Sequence, residues 1–540
     1  MMRKPVFVKT IQFVGIGLFV FALALFSWSL TASKFVLNEE ALKAAIGNEQ
    51  HWAHVAVHIA PMQGQTYPNS FAFIAALDAA LRRAQEDIRK QVTDELGLTP
   101  SDGAYWNAIL QDYQLKAVRF PVAKASAMGL LPDRSWLFFA LSIGLGVLSA
   151  FLYLLPQKRD LPGIWHNGLW HHSLTSRGWL GMALGAWLIA FYALLYFYPE
   201  HLVNWVIMVD PISEALSGHP ASQWFLYGLL YTLAILVMGV RMLIKYRHNR
   251  YQIIRTVSVM FFQTAFAFLI PEILVRLNKP YFDFKNIWPL DYDFFFEIDE
   301  LIANGTLGIF MLGWGIALAV VGVPVFTYFF GKRWYCSWVC GCGGLAETMG
   351  DPFRQLSSKK LRAWRIERWL IHGVLVFAVV MTAMVLYTYF TGESRVLGLD
   401  SYQVRKWYGL YIGSWFAGVI GTGFYPLMGN RVWCRFGCPL AAYLGLVQRF
   451  RSRFRITTNG GQCISCGNCS TYCEMGIDVR WYAQRGQDIV RASCVGCGVC
   501  AAVCPRGVLR LEQASADVSK RASELRVLRM VPGKQVEMLA

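Results

Sequence analysis

All thirteen cysteines of this 540-residue chain fall in its last two-fifths, and their spacing points to metal-cluster chemistry. Eight of them form two consecutive runs with the pattern CxxCxxCxxxC. Such a run wraps three thiolates around one cubane, and the last cysteine of each run ligates the other run's cluster. We therefore predict two [4Fe–4S] clusters, the first held by Cys463, Cys466, Cys469 and Cys504 and the second by Cys494, Cys497, Cys500 and Cys473.

Glycines and one proline support this interpretation of the two runs. Gly467, Gly496 and Gly498 stand between ligands, where the turns need a close backbone approach and positive φ. Proline follows Cys504, whereas Glu474 follows Cys473, which changes that turn without removing a ligand. Structural zinc is the alternative for paired CxxC sequences, but two consecutive runs of four cysteines favour iron–sulfur clusters.

Two shorter runs lie upstream, Cys336-x3-Cys340-Gly-Cys342 and Cys434-x3-Cys438-Pro439. Each supplies too few thiolates for a cubane, so we predict that the runs combine. Cys336, Cys340, Cys434 and Cys438 would hold a third [4Fe–4S] cluster, with Cys342 as an alternative ligand or a redox thiol. A shared zinc ion or a dithiol pair is the alternative, and the spacing differs from the CxxxCxxC of radical-SAM sites.

The rest of the chain has the composition of a membrane protein, since 55% of its residues are hydrophobic and only 16% are charged. Uncharged stretches of about 20 residues are long enough to cross a bilayer as helices. We predict eight, at residues 11–30, 136–156, 178–198, 224–240, 256–274, 307–330, 370–390 and 408–428. The first could be a cleaved signal peptide, but no small-x-small cleavage site follows it, so an uncleaved anchor is favoured.

Lysine and arginine in the short loops predict the orientation, because basic residues stay on the cytoplasmic side. They concentrate between spans two and three, four and five, and six and seven, while residues 199–223 contain neither. An even number of spans then places both termini and all cysteines on the cytoplasmic side of the membrane. That reducing compartment favours metal ligation over disulfides. The net charge of +17 fits this loop pattern and anionic lipid, so no nucleic-acid partner is expected.

The predicted fold is an all-α integral membrane protein of about eight transmembrane helices with a small α+β two-cluster bacterial-ferredoxin domain near its C-terminus. The expected domains are an anchor (1–30), an extracytoplasmic helical segment (31–135), transmembrane helices two to six (136–330), a cytoplasmic loop with the CxxxCGC motif (331–369), transmembrane helices seven and eight (370–430), the CxxxCP motif with a basic linker (431–455), the ferredoxin domain (456–510) and a tail (511–540) containing an amphipathic helix.

Several histidines and arginines suggest further, weaker sites. His166 and His171, in a tryptophan-rich loop, could bind a quinone headgroup at the cytoplasmic interface, although an aromatic belt explains the same residues. His51, His54 and His58 share a helix face that could bind a metal, but a solvated face is favoured. No haem is predicted, because only one of the ten histidines, His372, lies inside a predicted span. The arginines of residues 449–455 are expected to contact membrane lipid.

The sequences Cys336-Ser-Trp-Val-Cys340 and Cys434-Arg-Phe-Gly-Cys438-Pro439, followed by the double ferredoxin runs, resemble membrane-bound polyferredoxins of the NapH/NosR type and the related oxidase-assembly protein CcoG. The resemblance covers roughly residues 307–511. It implies a location in the bacterial inner membrane and electron transfer between the quinone pool, or a redox partner protein, and a metalloenzyme or its maturation system. Cys342 departs from the family, which has proline after the position of Cys340. Residues 31–135 show no flavinylation motif, so covalent FMN is not predicted.

We therefore expect a relay of electrons through [4Fe–4S] clusters, with oxidation of menaquinol or ubiquinol as the leading hypothesis. As an enzyme, the protein would be a quinol-oxidising subunit without acid–base catalytic residues. The main alternative is an assembly or regulatory factor that reduces a metal or senses redox state, as the resemblance to CcoG implies. A metal-stapled membrane scaffold without redox function is a third hypothesis.

Overall fold

The computed structural model describes residues 6–100, 102–164, 176–513, 527–529 and 537–539, and these are mainly helical. Within those ranges, seven helices are long and apolar enough to cross a membrane. They match the first seven predicted spans and confirm the fold class. Their bounds are Phe7–Ser29, Ser135–Arg159, Trp179–Phe197, Gln223–Lys245, Arg250–Arg276, Gly305–Phe330 and Leu361–Thr391.

The eighth predicted span is helical but is not one of these seven. Its helical residues run without interruption through Ser401–Tyr408, the π-helical Gly409–Ile420 and Gly421–Gly423. Gly409 and Gly413 lie against the ring of Tyr292, where an added Cβ would come within 2.8 Å and 3.4 Å of its hydroxyl oxygen. The hydropathy of this helix is lower because its first turns carry Gln403, Arg405 and Lys406 and because tyrosine, tryptophan and glycine occupy much of the remainder.

The chain divides into two compact units, and every cysteine belongs to the second. The first unit comprises Met1–Leu161, Ala190–Arg241 and Phe268–Tyr281, and the second comprises Pro162–Ile189, Met242–Ala267 and Phe282–Ala540. Shorter helices lie at Leu130–Asp133, Pro199–Leu202, Val203–Ser217, Ile298–Ala303, Arg333–Cys336, Gly341–Thr348, Asp351–Leu356, Tyr425–Met428, Trp433–Gly437 and Pro439–Arg451.

In the first unit, the segment between the first two spans is helical as predicted, with a small sheet added. Its helices are Glu39–Ile46, Glu49–Ile59, Ser70–Asp94, Gly103–Ala108 and Asp112–Ser126. In the sheet, Lys34–Val36 pairs antiparallel with Thr66–Tyr67 on one side and Ala127–Met128 on the other. Asn69 caps the longest of these helices, its side-chain oxygen accepting a bond from the Ala72 amide at 3.0 Å.

The three histidines of Glu49–Ile59 bond to neighbouring elements of this segment. His51 is buried and its Nε2 lies 2.9 Å from the Ala108 carbonyl oxygen, so a solvated face is wrong for this residue. The Nε2 atoms of His54 and His58 lie 2.7 Å from Gln91 Oε1 and 2.6 Å from Asp87 Oδ2, respectively. These contacts join the histidine face to the helices Ser70–Asp94 and Gly103–Ala108.

In the second unit, the segment from Phe282 to Glu297 is not helical, yet it contacts the middle of apolar helices. The Trp314 indole donates to the Phe284 carbonyl at 2.8 Å, and the Trp288 indole donates to Thr382 Oγ1 at 3.0 Å. Tyr335, which precedes Cys336, donates its hydroxyl to the Lys285 carbonyl at 2.9 Å. Irregular backbone of this kind is tolerated at membrane depth only where protein covers it, and Ile287 is 1% exposed.

The ferredoxin part begins and ends on one antiparallel strand pair. Phe454–Thr458 pairs with Leu509–Gln513, so that Phe454 faces Gln513 and Thr458 faces Leu509. Three short helices, Asn468–Thr471, Val479–Gln484 and Val499–Ala502, lie between the strands. Arg455 is buried in the first strand, so lipid contact is wrong for that arginine, while Arg449, Arg451 and Arg453 are exposed.

The described residues beyond the ferredoxin strands do not form the predicted amphipathic helix. Val527–Arg529 and Glu537–Leu539 are strands that pair antiparallel with each other. The helix prediction is therefore wrong for these positions, and the other tail residues lie outside the described ranges.

Candidate iron–sulfur centres

The first ferredoxin centre is a cavity between the two cysteine runs. Cys463, Cys466 and Cys469 line it together with Cys504 of the second run, and these residues border about 360 Å³ of space that is free of protein atoms and includes open solvent. The helix Asn468–Thr471 places Cys469 inside, where the thiol is buried, while Cys466 is exposed. The structure therefore brings together the four residues that the sequence assigns to the first cluster.

The second ferredoxin centre has nearly the same size but is more deeply buried. Cys494, Cys497 and Cys500 line a pocket with Cys473 of the first run, and these residues border about 370 Å³ of space that is free of protein atoms and includes open solvent. Cys494 and Cys500 are buried, and Cys473 and Cys497 are partly so. In both pockets, the fourth cysteine thus comes from the other run.

Matching turns shape the two runs. Gly467 and Gly498 follow the second cysteine of each run with φ of 81° and 73°. One residue before that cysteine, Ser465 and Gly496 also adopt positive φ, of 58° and 63°. Sequence reasoning missed Ser465, because serine carries no signal for a left-handed backbone. The register of the repeat, which aligns Ser465 with Gly496, is the signal that would have found it.

The five cysteines of the short runs form a third group. Cys336 ends the helix Arg333–Cys336, and Cys434 lies in the helix Trp433–Gly437. Cys340 and Cys438 are each followed directly by a further helix, Gly341–Thr348 and Pro439–Arg451 respectively. Burial raises the pKa of Cys438, and the nearby Cys434, Cys336 and Cys340 raise it further. The hydrogen bond to Cys340 and burial raise the pKa of Cys342, and the nearby Cys340, Cys434 and Cys438 add to this shift. Cys336, Cys340, Cys434 and Cys438 are buried and share one apolar core.

Burial and local charges act in opposite directions on these thiols. Burial raises the pKa of Cys336 to about 12, against the charge of Lys332. Burial also raises the pKa of Cys434, with Arg431 opposing it. A hydrogen bond from Cys342 lowers the pKa of Cys340. A metal ion deprotonates a coordinating thiol outright, so these buried thiols suit metal ligation better than reaction as free nucleophiles.

The first short run packs directly on the second ferredoxin run. Ser337, which follows Cys336, donates its hydroxyl to the Val495 carbonyl at 2.8 Å. A Cβ added to Gly496 would lie 2.6 Å from the Arg333 Cβ. The Gln252 side chain donates to the Cys497 carbonyl at 2.8 Å. The third cysteine group and the second ferredoxin centre are therefore neighbours.

Buried ion pairs connect these two neighbours. Arg431 pairs with Glu347 and lies 3.1 Å from Glu474, and Arg354 donates to the other oxygen of Glu474 at 2.9 Å. Arg255 adds a 2.8 Å contact to Glu347. Burial works to raise the pKa of Glu474, but the charges of Arg431 and Arg354 outweigh it and lower the pKa to about 2. Sequence reasoning noted Glu474 only as a missing proline.

The arginines also contact cysteine sulfur and fit the proposed clusters. Arg431 Nη1 lies 3.6 Å from Cys434 Sγ, and Arg354 Nη1 lies 3.9 Å from Cys497 Sγ. Arg431 Nε and Arg354 Nη2 are buried without a hydrogen-bond partner in the structure. Buried donors need acceptors, and the sulfurs of an anionic cluster are suitable ones. The donor set and the thiols therefore fit [4Fe–4S] groups.

A single metal ion fits less well. Among the described residues, no three histidine, cysteine or acidic side chains are grouped closely enough to hold one ion. A structural zinc site needs four ligands about 2 Å from one ion, whereas a cubane separates its four thiolates. His166 and His171, the predicted quinone contacts, lie outside the described residues.

Family models match both cysteine regions. The model for a 4Fe-4S binding domain matches residues 312–362 and 411–457, which contain the short runs, and the model for a 4Fe-4S dicluster domain matches residues 462–509. With the fold and the cavities, these matches define an iron–sulfur electron-transfer protein of the ferredoxin type, built on membrane-type helices.

Individual relatives agree with this class. The chain is 28% identical over 160 residues to "Putative electron transport protein YccM" of Escherichia coli (strain K12), covering 27% of this chain and 43% of that protein. It is 29% identical over 169 residues to "Methylamine utilization ferredoxin-type protein MauN" of Paracoccus denitrificans, covering 30% of this chain and 56% of that protein. The chain thus spans about half the length of these relatives. No solved structure matches the chain significantly.

Proposed function

We propose that this protein relays electrons between the quinone pool, or a redox partner protein, and a respiratory metalloenzyme of the bacterial inner membrane. Cys463, Cys466, Cys469 and Cys504 would hold one [4Fe–4S] cluster, Cys473, Cys494, Cys497 and Cys500 a second, and Cys336, Cys340, Cys434 and Cys438 a third. The clusters supply one-electron chemistry, and their potentials depend on charge, burial and hydrogen bonds to sulfur.

The observation that carries the proposal is the contact between the third cysteine group and the second ferredoxin run. The Ser337–Val495 hydrogen bond of 2.8 Å joins the residue after Cys336 to the residue after Cys494. The helices Asn468–Thr471 and Val499–Ala502, which carry Cys469 and Cys500, in turn pack against each other within the ferredoxin part. The order of centres therefore runs from the buried third group, through the second ferredoxin centre, to the first, whose Cys466 is exposed.

Cys342 favours a second candidate function. Its thiol donates a hydrogen bond to Cys340 in a group that already has four other thiols. A thiol beyond the four that a cubane needs suits a factor that reduces or transfers a metal during the assembly of a respiratory enzyme, as the resemblance to CcoG implies. The NapH/NosR-type relay and the assembly factor share the same clusters and differ in their acceptor.

Anaerobic purification in detergent tests the cluster assignment. We expect about twelve irons per chain, as three [4Fe–4S] clusters require. Cys434→Ser should lose about four of these irons, whereas the matched control Cys342→Ser should keep all of them. Equal iron contents in the wild type and Cys434→Ser would remove the third cluster from the proposal.

Reduction by a short-chain quinol, followed by visible bleaching and EPR, then tests the donor. A reduction rate that rises with quinol concentration supports the quinone pool as electron source. Reduction by dithionite but not by quinol would contradict it and would favour a protein donor or the assembly role. Cys342→Ser should leave the rate of cluster reduction by quinol unchanged. Loss of this activity in Cys342→Ser would favour the assembly role.

A further inference from the structure

The chain Arg431–Glu474–Arg354 connects sulfur atoms of two different centres. Arg431 Nη1 lies 3.6 Å from Cys434 Sγ, and Arg354 Nη1 lies 3.9 Å from Cys497 Sγ. Each guanidinium also pairs with a different oxygen of Glu474, at 3.1 Å and 2.9 Å. One carboxylate therefore touches the cation beside each centre.

All three side chains are removed from solvent. Arg431, Arg354 and Glu474 are each 1% exposed. Water and salt screen such charges little, so their fields act at close to full strength on nearby groups. An arginine keeps its charge at any relevant pH, which makes this contribution a fixed property of the fold.

The first ferredoxin centre has a different environment. The arginines that line its cavity, Arg480 and Arg506, are exposed on the surface. Solvent screens their charge, and Cys466 of the same centre is also exposed. The buried arginines and Glu474 thus contact both the third cysteine group and the second ferredoxin centre. The charges around the first ferredoxin centre are instead screened by solvent.

We propose that Arg431, Glu474 and Arg354 act as one unit that sets the reduction potentials of the third cysteine group and of the second ferredoxin centre together. Reduction adds negative charge to a cluster, so each arginine favours the reduced form of the centre it contacts. Glu474 holds both arginines in place and partly cancels their charge at both centres. These are positioning and potential-setting residues, and the inference rests on the ligand assignment proposed above.

The decisive variant is Glu474→Gln, which keeps the shape and removes the charge. EPR-monitored potentiometry of the full-length protein in detergent should show both the third and the second ferredoxin centre shifted to more positive potential. We expect about a tenfold change in each reduction equilibrium, or about 59 mV for a one-electron couple. Signals are assigned with Cys434→Ser and Cys497→Ser. A shift at one centre only, or at neither, would overturn the proposal.

The first ferredoxin centre is the internal control, because Glu474→Gln should leave its potential in place. Arg480→Gln, beside that centre, should leave the other two potentials unchanged. A uniform shift of all three potentials in Glu474→Gln would indicate a general structural change and would also contradict the proposal.

A second pair of variants decides the matter if Glu474→Gln does not retain iron. Arg354→Gln should shift the potential of the second ferredoxin centre to a more negative value by a similar amount. Arg354→Lys should leave that potential unchanged. Equal potentials in the two variants, or loss of iron from both, would show a purely structural role and overturn the inference. The wild-type protein distinguishes failure of the proposed function from failure of this inference. Fewer than three clusters in the wild type would contradict the proposed function. Three clusters in the wild type, with unshifted potentials in the variants, would contradict only this inference.

Discussion

At the scale of single residues, Ser465 and Gly496 occupy equivalent positions in the two cysteine runs and have the same backbone conformation, although one is serine and the other glycine. Both adopt positive φ, which costs about 1–2 kcal/mol for a residue with a Cβ. Ser465 tolerates that cost at a surface turn. Gly496 has no room, because an added Cβ would lie 2.6 Å from Arg333 Cβ and 3.0 Å from Phe454 Cζ.

We expect Gly496→Ala to weaken the second ferredoxin centre. The new methyl adds backbone strain and overpacking of about 1–3 kcal/mol, and it pushes the ligand turn away from Arg333. Iron analysis and EPR should show selective loss of that centre.

The matched control is Ser465→Gly at the equivalent turn of the other run. It relieves strain and should leave the iron content at the wild-type value. Full retention of the second centre in Gly496→Ala would contradict the packing argument.

The ligands were accessible to sequence reasoning because CxxCxxCxxxC is a local pattern with a fixed geometric meaning. The buried arginines were not, because their partners are distant in sequence. Arg431 and Glu347 are 84 residues apart, and Arg354 and Glu474 are 120 residues apart. The departure from proline at Glu474 was visible, but only the fold shows that this carboxylate contacts two arginines.

At the scale of elements, the irregular segment Phe282–Glu297 was the feature that periodicity could not predict. Helical spans are recognised in the sequence by their length and hydropathy, whereas this segment contains charged residues and no regular repeat. Its Lys285 and Asp283 pair at 2.8 Å with 10% and 19% of their side chains exposed. The charge of Lys285 also acts on the pKa of Cys340. A loop between two spans thus reaches the third cysteine group.

We expect Lys285→Met to destabilise the protein by about 2 kcal/mol, because it leaves the half-buried Asp283 carboxylate without its charged partner. The double variant Lys285→Met/Asp283→Asn should recover part of that loss. Thermal unfolding in detergent, followed by tryptophan fluorescence, measures both.

An exposed pair provides the comparison. Lys43 and Glu49 lie 3.4 Å apart with 52% and 87% of their side chains exposed, so Lys43→Met should cost less than about 1 kcal/mol. Similar losses in Lys43→Met and Lys285→Met would show that the segment is not packed as described.

At the scale of the whole molecule, the third cysteine group constrains the number of membrane crossings. Cys340 and Cys434 lie in the same buried core, yet the apolar helix Leu361–Thr391 lies between them in the chain. If that helix crosses the membrane, a second crossing must return the chain before Cys434. The helical run Ser401–Gly423 is the element available in that interval, although its hydropathy alone does not mark it as a span.

Fusion reporters should therefore show an even number of crossings. We expect alkaline phosphatase to be active when inserted after Gly64 or Ser394, and inactive after Gly429. Green fluorescent protein should fluoresce at the C-terminus, since the basic loops favour a cytoplasmic location. A dark C-terminal fusion together with active phosphatase after Gly429 would contradict eight crossings and the cytoplasmic placement of the clusters.

The ferredoxin part is fastened to the rest of the second unit on several sides. Its first strand begins right after the helix Pro439–Arg451, Gln448 of that helix donates to the Cys494 carbonyl at 2.8 Å, and Tyr251 donates to the Gly496 carbonyl at 2.8 Å. Domains that shuttle electrons by swinging between two docking positions need a free linker, and this chain has none at that junction. Electrons would then tunnel over constant distances, so their transfer rate should not change with solvent viscosity.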